Sequence, residues 1–342
     1  MAGASFLVTG ADGFIGKAAT SEIARTGAVV RAGTRRPISP GQSSGGGGRA
    51  NVRAVACDLD DAAQVAEAVS GADVVVHAAY GEESAMPRQC RTLLEAMSRA
   101  GVGSLVYLSS IAFYGAREGR VDEGMAALGP LETYAAAKAE CEALVSQWAA
   151  GTGKGGLPRR AIILRPGIVY GTGSRFWIDK LVMRIRTGAW GTFGAAGEGT
   201  AALVHVDDVA DIITRGCLRL TGSDRLALPQ AAALNVVGPE PPTWNAYFAA
   251  LAAACGAGPL PEISPREAGL RAAMAVPAKI WRRTGLPGFF PLSLAAMRGE
   301  REMFAAKADY AMDAARETLG FTPRVGLAEG LRRTRLPQHK RG

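Results

Sequence analysis

Short apolar runs alternate with helical patterns along the first half of the chain. The runs are rich in β-branched residues and cover residues 6–9, 28–32, 52–56, 74–77, 105–109 and 161–164. Patterns of helical period lie between them, at residues 15–25, 62–69, 88–100 and 134–148. Strands that alternate with helices form βαβ units, and continuous apolar strands are typical of a sheet covered on both faces. The pattern predicts an α/β fold with a doubly wound parallel sheet.

The pattern changes after residue 171. Longer helical stretches with proline breaks, such as residues 244–255 and 268–281, predict a smaller, mostly helical lobe. Residues 37–48, mostly glycine, proline and serine, predict a loop outside the core. We therefore expect a first domain and a substrate-binding lobe, divided as residues 1–170 with returns near 203–220 and 233–238, and residues 171–202 with 239–335.

The composition excludes several classes of protein. With 48% hydrophobic and 20% charged residues over 342 positions, the chain is typical of a globular protein. Its longest apolar run, residues 246–255, is far shorter than the roughly 20 residues that a membrane-spanning helix needs. Five scattered cysteines without CxxC spacing, and a start without a basic signal region, favour a cytoplasmic protein with reduced thiols. Three histidines do not suggest a metal site.

The net charge of +8 is unevenly distributed along the chain. Residues 1–150 carry a net charge of −3, and residues 151–342 carry +11. A basic second half suits a small anionic substrate, and it equally suits a solvated basic face. Basic and aromatic residues do not interleave, so we do not expect a nucleic acid as partner. The expected partner is a small molecule rather than a membrane, and a homodimer is left open.

A glycine-rich loop follows the first predicted strand and leads into a predicted helix. It reads TGADGFIG over residues 9–16. Glycines at these positions allow a tight turn, a close approach of the backbone to a pyrophosphate and close packing of the helix on the strand. The helix N-terminus then offers free N–H groups to the phosphates, which predicts a Rossmann-type domain. The loop residues expected to contact a dinucleotide are Gly10, Asp12, Gly13, Phe14, Ile15 and Gly16.

Two arginines, Arg35 and Arg36, follow the second predicted strand. NAD-binding folds usually place Asp or Glu near this point, where the carboxylate binds the ribose 2′-hydroxyl. Guanidinium groups suit a 2′-phosphate instead, which a carboxylate would repel. NADP(H) is therefore the favoured cofactor and NAD(H) the alternative. The two arginines could also be solvated at the mouth of the following loop.

The ends of two further strands complete the expected cofactor site. Asp58 and Leu59 follow the third predicted strand, where the adenine edge would lie. Ala78 and Ala79 follow the fourth, where small side chains let a cofactor pass closely. His77 is isolated on an apolar strand, and we assign it no catalytic role.

A serine pair and a YxxxK motif follow the fifth predicted strand. Ser109 and Ser110 end that strand, and Tyr134 and Lys138 lie on one face of the next helix. An ammonium group beside a phenol favours the phenolate and lowers the tyrosine pKa from about 10. Such a tyrosine can exchange a proton with a carbinol or carbonyl oxygen, which a serine hydroxyl can hold in place.

Together these motifs make the chain resemble an extended short-chain dehydrogenase/reductase of the NAD-dependent epimerase/dehydratase family. The resemblance covers nearly the whole chain. Besides TGxxGxxG and YxxxK, it rests on LRPGIVYG at residues 164–171, VHVDDVA at 204–210, NVVG at 235–238 and LGFTP at 319–323.

The resemblance implies roles for individual residues. Tyr134 would be the acid/base, and Lys138 would bind the nicotinamide ribose hydroxyls and lower the tyrosine pKa. Ser110 stands where the family keeps its catalytic Ser or Thr. The residues whose backbone would line the nicotinamide are Pro166, Ile168 and Val169.

The resemblance also implies a class of reaction. We expect hydride transfer at a hydroxyl or ketone carbon, most often of a nucleotide-linked sugar, by a reductase or an epimerase. The family's sugar dehydratases place Asp-Glu after the catalytic hydroxyl, where this chain has Ile111 and Ala112, so water elimination by that route is not expected. Arg175 and Lys180 could receive a diphosphate, or they could belong to an ordinary basic helix face.

Two alternatives stay open. A reductase of a non-sugar ketone or aldehyde would suit apolar residues of the second lobe such as Trp281, Phe289 and Phe290. A non-catalytic NADP-binding sensor would also keep the glycine loop, but the intact catalytic set argues against it.

Overall fold

Eleven strands and eleven α-helices are assigned in the computed structural model, which describes residues 3–35, 50–283 and 292–338. The strands are β1 (Ser5–Thr9), β2 (Val29–Thr34), β3 (Val52–Ala56), β4 (Val74–His77), β5 (Ser104–Leu108), β6 (Gly119–Val121), β7 (Arg160–Pro166), β8 (Ile168–Tyr170), β9 (Leu203–His205), β10 (Ala231–Val236) and β11 (Ala308–Tyr310). The helices are α1 (Phe14–Arg25), α2 (Ala62–Val69), α3 (Met86–Ala100), α4 (Thr133–Ala149), α5 (Lys180–Arg186), α6 (Val206–Thr221), α7 (Trp244–Ala254), α8 (Pro265–Arg283), α9 (Arg298–Ala305), α10 (Asp313–Leu319) and α11 (Leu327–Arg333).

Some positions singled out in the sequence lie outside the described residues. They are Arg36, the predicted loop at residues 37–48, Phe289, Phe290 and the side chain of Trp281.

A seven-stranded parallel sheet forms the centre of the protein, which confirms the predicted α/β class. The strand order is β3-β2-β1-β4-β5-β7-β10. The order reverses at β1, which pairs with β2 on one side and with β4 on the other. Open α/β sheets bind their ligands at the carboxyl ends of the strands beside such a reversal. The topology therefore places the candidate site next to the glycine loop.

Helices cover both faces of this sheet. Side chains alternate along a strand, so Phe6 of β1 packs with Ile23 of α1 and Ile212 of α6 on one face. The intervening Leu7 packs on the opposite face, in the cluster that α2, α3 and α4 share, with residues such as Leu93. Both clusters are closely packed and apolar, which explains the continuous apolar runs in the sequence.

The second half contains the smaller, mostly helical part that the sequence predicts. Its core is aromatic and includes Trp190, Trp244, Phe248 and Phe304. The rings of Trp244 and Phe304 lie 4.7 Å apart between centroids. The chain also returns to the sheet, because β10 forms its edge and α6 packs against α1.

Two expectations from composition concern thiols and membranes. The cysteines all lie within the described residues and are free thiols, as the scattered spacing predicts. Within residues 3–35, 50–283 and 292–338, no helix combines the length and the apolar character that a bilayer span requires.

Candidate active site and cofactor loop

The glycine loop packs directly against the end of β4. Gly10 has a φ of +67°, a left-handed conformation that favours glycine. A Cβ atom at Gly10 would lie 2.5 Å from Cα of Ala79, and one at Gly16 would lie 2.1 Å from the Gly10 carbonyl oxygen. Neither position can therefore carry a side chain without a shift of the backbone. The close packing brings together two segments that the sequence assigns to the cofactor.

The helix that begins after this loop has a free N-terminus. Gly13 is the N-cap of α1, no side chain caps the helix, and its first turn contains no acidic residue. Among the described residues, a Cβ atom at Gly13 would meet only the Gly10 carbonyl oxygen, at 3.1 Å. Asp12 is exposed, and Phe14 and Ile15 are partly buried. An open, uncapped helix start fits a pyrophosphate, so the residues present fit a dinucleotide.

The expected adenine end of the site lies beyond β2 and β3. Asp58 accepts a hydrogen bond from the backbone N–H of Asp60 at 3.1 Å, and Leu59 is buried. Arg35 is exposed at the end of β2. The pKa of Asp60 is lowered by hydrogen bonds from Gln89 and Arg88, and the charge of Arg35 adds to this effect. Arg35 is thus close enough to Asp60 for its positive charge to act at this end of the site.

The structure brings the three predicted catalytic residues together at the carboxyl end of β5. The Ser110 side chain lies close enough to the Tyr134 hydroxyl to lower its pKa. Lys138, only 5% exposed, donates to the carbonyl oxygen of Leu108 at 2.5 Å, and its Nζ lies 5.8 Å from the centroid of the Tyr134 ring. This arrangement can hold a substrate oxygen between a serine hydroxyl and a phenol.

The direction of the tyrosine pKa differs from the expectation. Burial raises the pKa of Tyr134, and the nearby Ser110 side chain only partly opposes this effect. Burial also lowers the pKa of Lys138 to about 8. The net direction is therefore opposite to the predicted depression, because removal from water outweighs the effect of Ser110, and Tyr80 and Glu83 add to the rise.

Tyr80 belongs to the site although the motifs do not include it. It follows Ala79 directly, its side chain is 57% exposed, and its ring stands edge-on to Tyr134 at 5.9 Å between centroids. An exposed aromatic ring beside the predicted acid/base is accessible to a substrate. The only signal in the sequence is that Tyr80 is the first bulky residue after the end of β4.

The structure gives His77 a structural role. It is buried, and its Nδ1 is hydrogen-bonded to the Thr9 hydroxyl at 2.9 Å. Burial lowers its pKa to about 3, which keeps the ring neutral near pH 7. This agrees with the absence of a catalytic assignment.

The backbone expected to line the nicotinamide lies at the same edge of the sheet. Pro166 ends β7, and Ile168 and Val169 belong to β8, which pairs with β9. A Cβ atom on the intervening Gly167 would lie 2.1 Å from the Ala202 carbonyl oxygen. Close packing therefore fixes this turn against the segment that leads into β9.

The basic residues near α5 are largely engaged within the protein. Lys180 and Arg184 both pair with Glu300, at 3.7 Å and 2.8 Å. The Arg184 guanidinium also lies 4.2 Å from the centroid of the Trp190 ring. Arg175, by contrast, is exposed before α5. The two residues expected to receive a diphosphate thus differ in how available they are.

Comparisons with known proteins place this geometry in a family. A 2-alkyl-3-oxoalkanoate reductase of Stenotrophomonas maltophilia is 27% identical, and the match covers 96% of this chain and 97% of that protein. An N-acetyl-alpha-D-glucosaminyl-diphospho-ditrans,octacis-undecaprenol 4-epimerase of Escherichia coli O157:H7 is also 27% identical, over 46% of this chain and only 49% of that protein. The structure of MoeE5 in complex with UDP-glucuronic acid and NAD is similar, with a TM-score of 0.69, 25% identity, and coverage of 96% of this chain and 97% of that one.

A family model matches more than half of the chain. The model of the NAD dependent epimerase/dehydratase family matches residues 6–220. This range includes the glycine loop, the Ser110–Tyr134–Lys138 cluster and the strands β7 and β8. The chain is therefore a member of the NAD dependent epimerase/dehydratase family, of the extended short-chain dehydrogenase/reductase type.

Proposed function

We propose that the protein transfers a hydride between NAD(P)(H) and a hydroxyl-bearing or carbonyl carbon, with Tyr134 as the acid/base. One observation carries this proposal. Ser110 lies beside Tyr134, and the buried Lys138 follows Tyr134 by one helical turn, at the sheet edge that also holds the glycine loop. A binding module without turnover has no need of this cluster, so catalysis is favoured over a sensor.

Ser110, Tyr134 and Lys138 each have a separate role in the proposed reaction. The nicotinamide supplies or accepts the hydride when the cofactor is bound. Ser110 holds the substrate oxygen, and Tyr134 gives it a proton during reduction or removes one during oxidation. Lys138 uses one N–H on the Leu108 carbonyl oxygen, and its other donors are available for ribose hydroxyls.

The preferred cofactor in this proposal is NADP(H). The support is chemical, because Arg35 follows the end of β2 at Thr34 and no Asp or Glu stands there to bind a ribose 2′-hydroxyl. A guanidinium group matches a 2′-phosphate. NAD(H) is the alternative, since the similar MoeE5 structure contains NAD.

A nucleotide-linked sugar is the first proposed substrate. MoeE5 is similar over nearly its whole length and its structure contains UDP-glucuronic acid, and one curated relative is an epimerase of a diphosphate-linked amino sugar. Arg175 is exposed before α5, where it is accessible to an anionic group.

A reductase of a non-sugar ketone is the second candidate. It is favoured by the engagement of Lys180 and Arg184 with Glu300, which leaves less positive charge for a diphosphate. The relative that matches along the whole chain reduces an oxoalkanoate by its name. The exposed ring of Tyr80 beside Tyr134 also suits an apolar substrate.

A substrate panel tests these proposals together. Purified protein is incubated with NADPH or NADH and, separately, with the oxidised cofactors, in the presence of UDP-glucose, UDP-glucuronic acid or a 2-alkyl-3-oxoalkanoate. Nicotinamide absorbance detects net redox turnover, and chromatography of the sugar detects epimerisation without net cofactor change. Turnover of a UDP-sugar supports the first candidate, and turnover of the oxoalkanoate alone supports the second. Tight NADP(H) binding without any turnover across the panel would favour the sensor.

A further inference from the structure

A buried ion pair lies directly behind the catalytic cluster. Glu142 of α4 accepts hydrogen bonds from Nε of Arg165 at 3.0 Å and from its Nη2 at 2.6 Å. Each of the two side chains is only 6% exposed. The planar guanidinium thus binds the carboxylate through two N–H groups, which fixes the orientation of both side chains.

The carboxylate side of this pair contacts the segments that carry the catalytic residues. Glu142 lies four residues after Lys138, so the two share a face of α4. The hydroxyl of Ser109, the residue before Ser110, donates to Oε1 of Glu142. One carboxylate therefore links the end of β5 to the helix of Tyr134 and Lys138.

The guanidinium side holds the chain that follows Ser110. Arg165 donates to the Tyr114 hydroxyl at 2.8 Å and to the Glu123 carbonyl oxygen at 3.1 Å. Its guanidinium carbon lies 3.8 Å from the centroid of the Phe113 ring. Tyr114 in turn donates to Oδ1 of Asn235 at 2.7 Å. The residues on both sides of Ser110 are thus anchored to the same arginine and carboxylate.

Packing alone does not explain a charged pair at this position. Taking two charges out of water is costly, and well-packed apolar residues of similar volume often give equal or greater stability. An apolar pair, however, would provide no directional contact to Ser109, Tyr114 or the Glu123 carbonyl. What the ion pair adds is orientation of the elements that it joins.

We propose that Glu142 and Arg165 are positioning residues, which set the distance between Ser110, just after β5, and Tyr134 with Lys138 on α4. The inference rests on the proposed function, because it assigns a purpose to the pair only if Tyr134 is the acid/base. Neither side chain contacts the substrate oxygen, and they act through Ser109 and α4. Loss of the pair lowers the rate of the chemical step rather than substrate binding.

The test removes the pair without leaving a buried charge. Glu142→Leu combined with Arg165→Met keeps the volume apolar, so the fold is expected to survive. With the panel member that the unaltered protein turns over, kcat is expected to fall by about 100-fold, since a misplacement of roughly 1 Å has a cost of that order. KM is expected to change by less than about threefold, because binding contacts are retained. The midpoint of thermal unfolding checks the fold.

Two further variants complete the test. Ser109→Ala removes only the hydroxyl contact to Glu142 and should lower kcat by a smaller factor, again without a change in KM. Arg160→Met is the matched control, because Arg160 is a buried arginine at the opposite end of β7 that donates to the carbonyl oxygens of Arg159 and Leu226. It should leave kcat unchanged.

The outcomes separate this inference from the proposed function. A folded double variant whose kcat stays within about twofold of the unaltered protein shows that the pair serves packing only, a role that apolar residues of similar volume can fill. Tyr134→Phe is measured in parallel. If turnover survives in Tyr134→Phe, the acid/base assignment itself is wrong. If it is lost there but kept in the double variant, only the positioning role fails.

Discussion

The glycine loop and helix α5 both contain groups that the sequence assigns to anionic ligands, but these groups differ in whether they already have partners within the protein. The loop ends in an uncapped helix start, where a Cβ atom at Gly13 would meet only the Gly10 carbonyl oxygen among the described residues, at 3.1 Å. On α5, Lys180 and Arg184 instead form ion pairs with Glu300. Unsatisfied donors can bind a ligand, whereas donors already paired must first give up a partner. Availability, rather than residue type, therefore distinguishes a ligand site from a structural contact.

The largest expected effect follows from closing the open side of the loop. Gly13→Val places a branched side chain where a pyrophosphate must approach the backbone, so NADP(H) affinity should fall by more than about 100-fold. Titration of cofactor fluorescence measures it. Gly258→Val is the control, because an added Cβ at Gly258 would have no atom of the other described residues within 4 Å. Normal cofactor binding by folded Gly13→Val would show that the phosphates bind elsewhere.

Lys138 should affect both cofactor binding and rate. Lys138→Met keeps the buried space filled and removes the ammonium group, so a charged hydrogen bond to the ribose worth about 1.5–3 kcal/mol is lost. Dissociation constants and kcat measured on the same preparation check this. A variant that loses rate but binds NADP(H) as tightly as before would restrict Lys138 to the proton step.

Arg35 should affect cofactor choice. Arg35→Ala is expected to weaken NADPH binding by about 1.5–3 kcal/mol and to leave NADH binding nearly unchanged, since only NADPH has the 2′-phosphate. Parallel titrations with the two cofactors measure the difference. Equal losses for both, or a preference for NADH in the unaltered protein, would contradict the assignment.

The smallest expected effect concerns the basic residues near α5. Lys180→Ala should change the KM for a UDP-sugar by less than about threefold, because Lys180 would have to give up its partner Glu300 to bind the substrate. Arg175→Ala should raise that KM more, since Arg175 is the exposed residue. The reverse order would show that Lys180 leaves Glu300 to bind the substrate.

Local sequence patterns were sufficient to predict the parallel sheet, the place of the glycine loop and the proximity of Ser110, Tyr134 and Lys138. Each depends on spacing within one strand–loop–helix unit, as Tyr134 and Lys138 do on α4. Partners that are distant in the chain could not be predicted in this way. Glu300 lies 116 residues from Arg184, and Asn235 lies 121 residues from Tyr114.

The tyrosine pKa shows a second limit of sequence reasoning. Spacing predicts that an ammonium group is near Tyr134, but the extent of burial follows only from packing against other elements. Burial raises the pKa of Tyr134 and thereby reverses the predicted direction. Tyr80 was missed for a related reason, because its edge-on contact with Tyr134 depends on how β4 and α4 are placed in the fold.

The most direct test of the central claim is the rate of Tyr134→Phe on a substrate that the unaltered protein turns over. The ring still packs and Lys138 is unchanged, so NADP(H) should bind with unaltered affinity. Only the transferable proton is lost, and general acid–base catalysis is worth about 10²–10⁴-fold, so kcat should fall to about one per cent or less. Near-full activity of Tyr134→Phe would contradict the account.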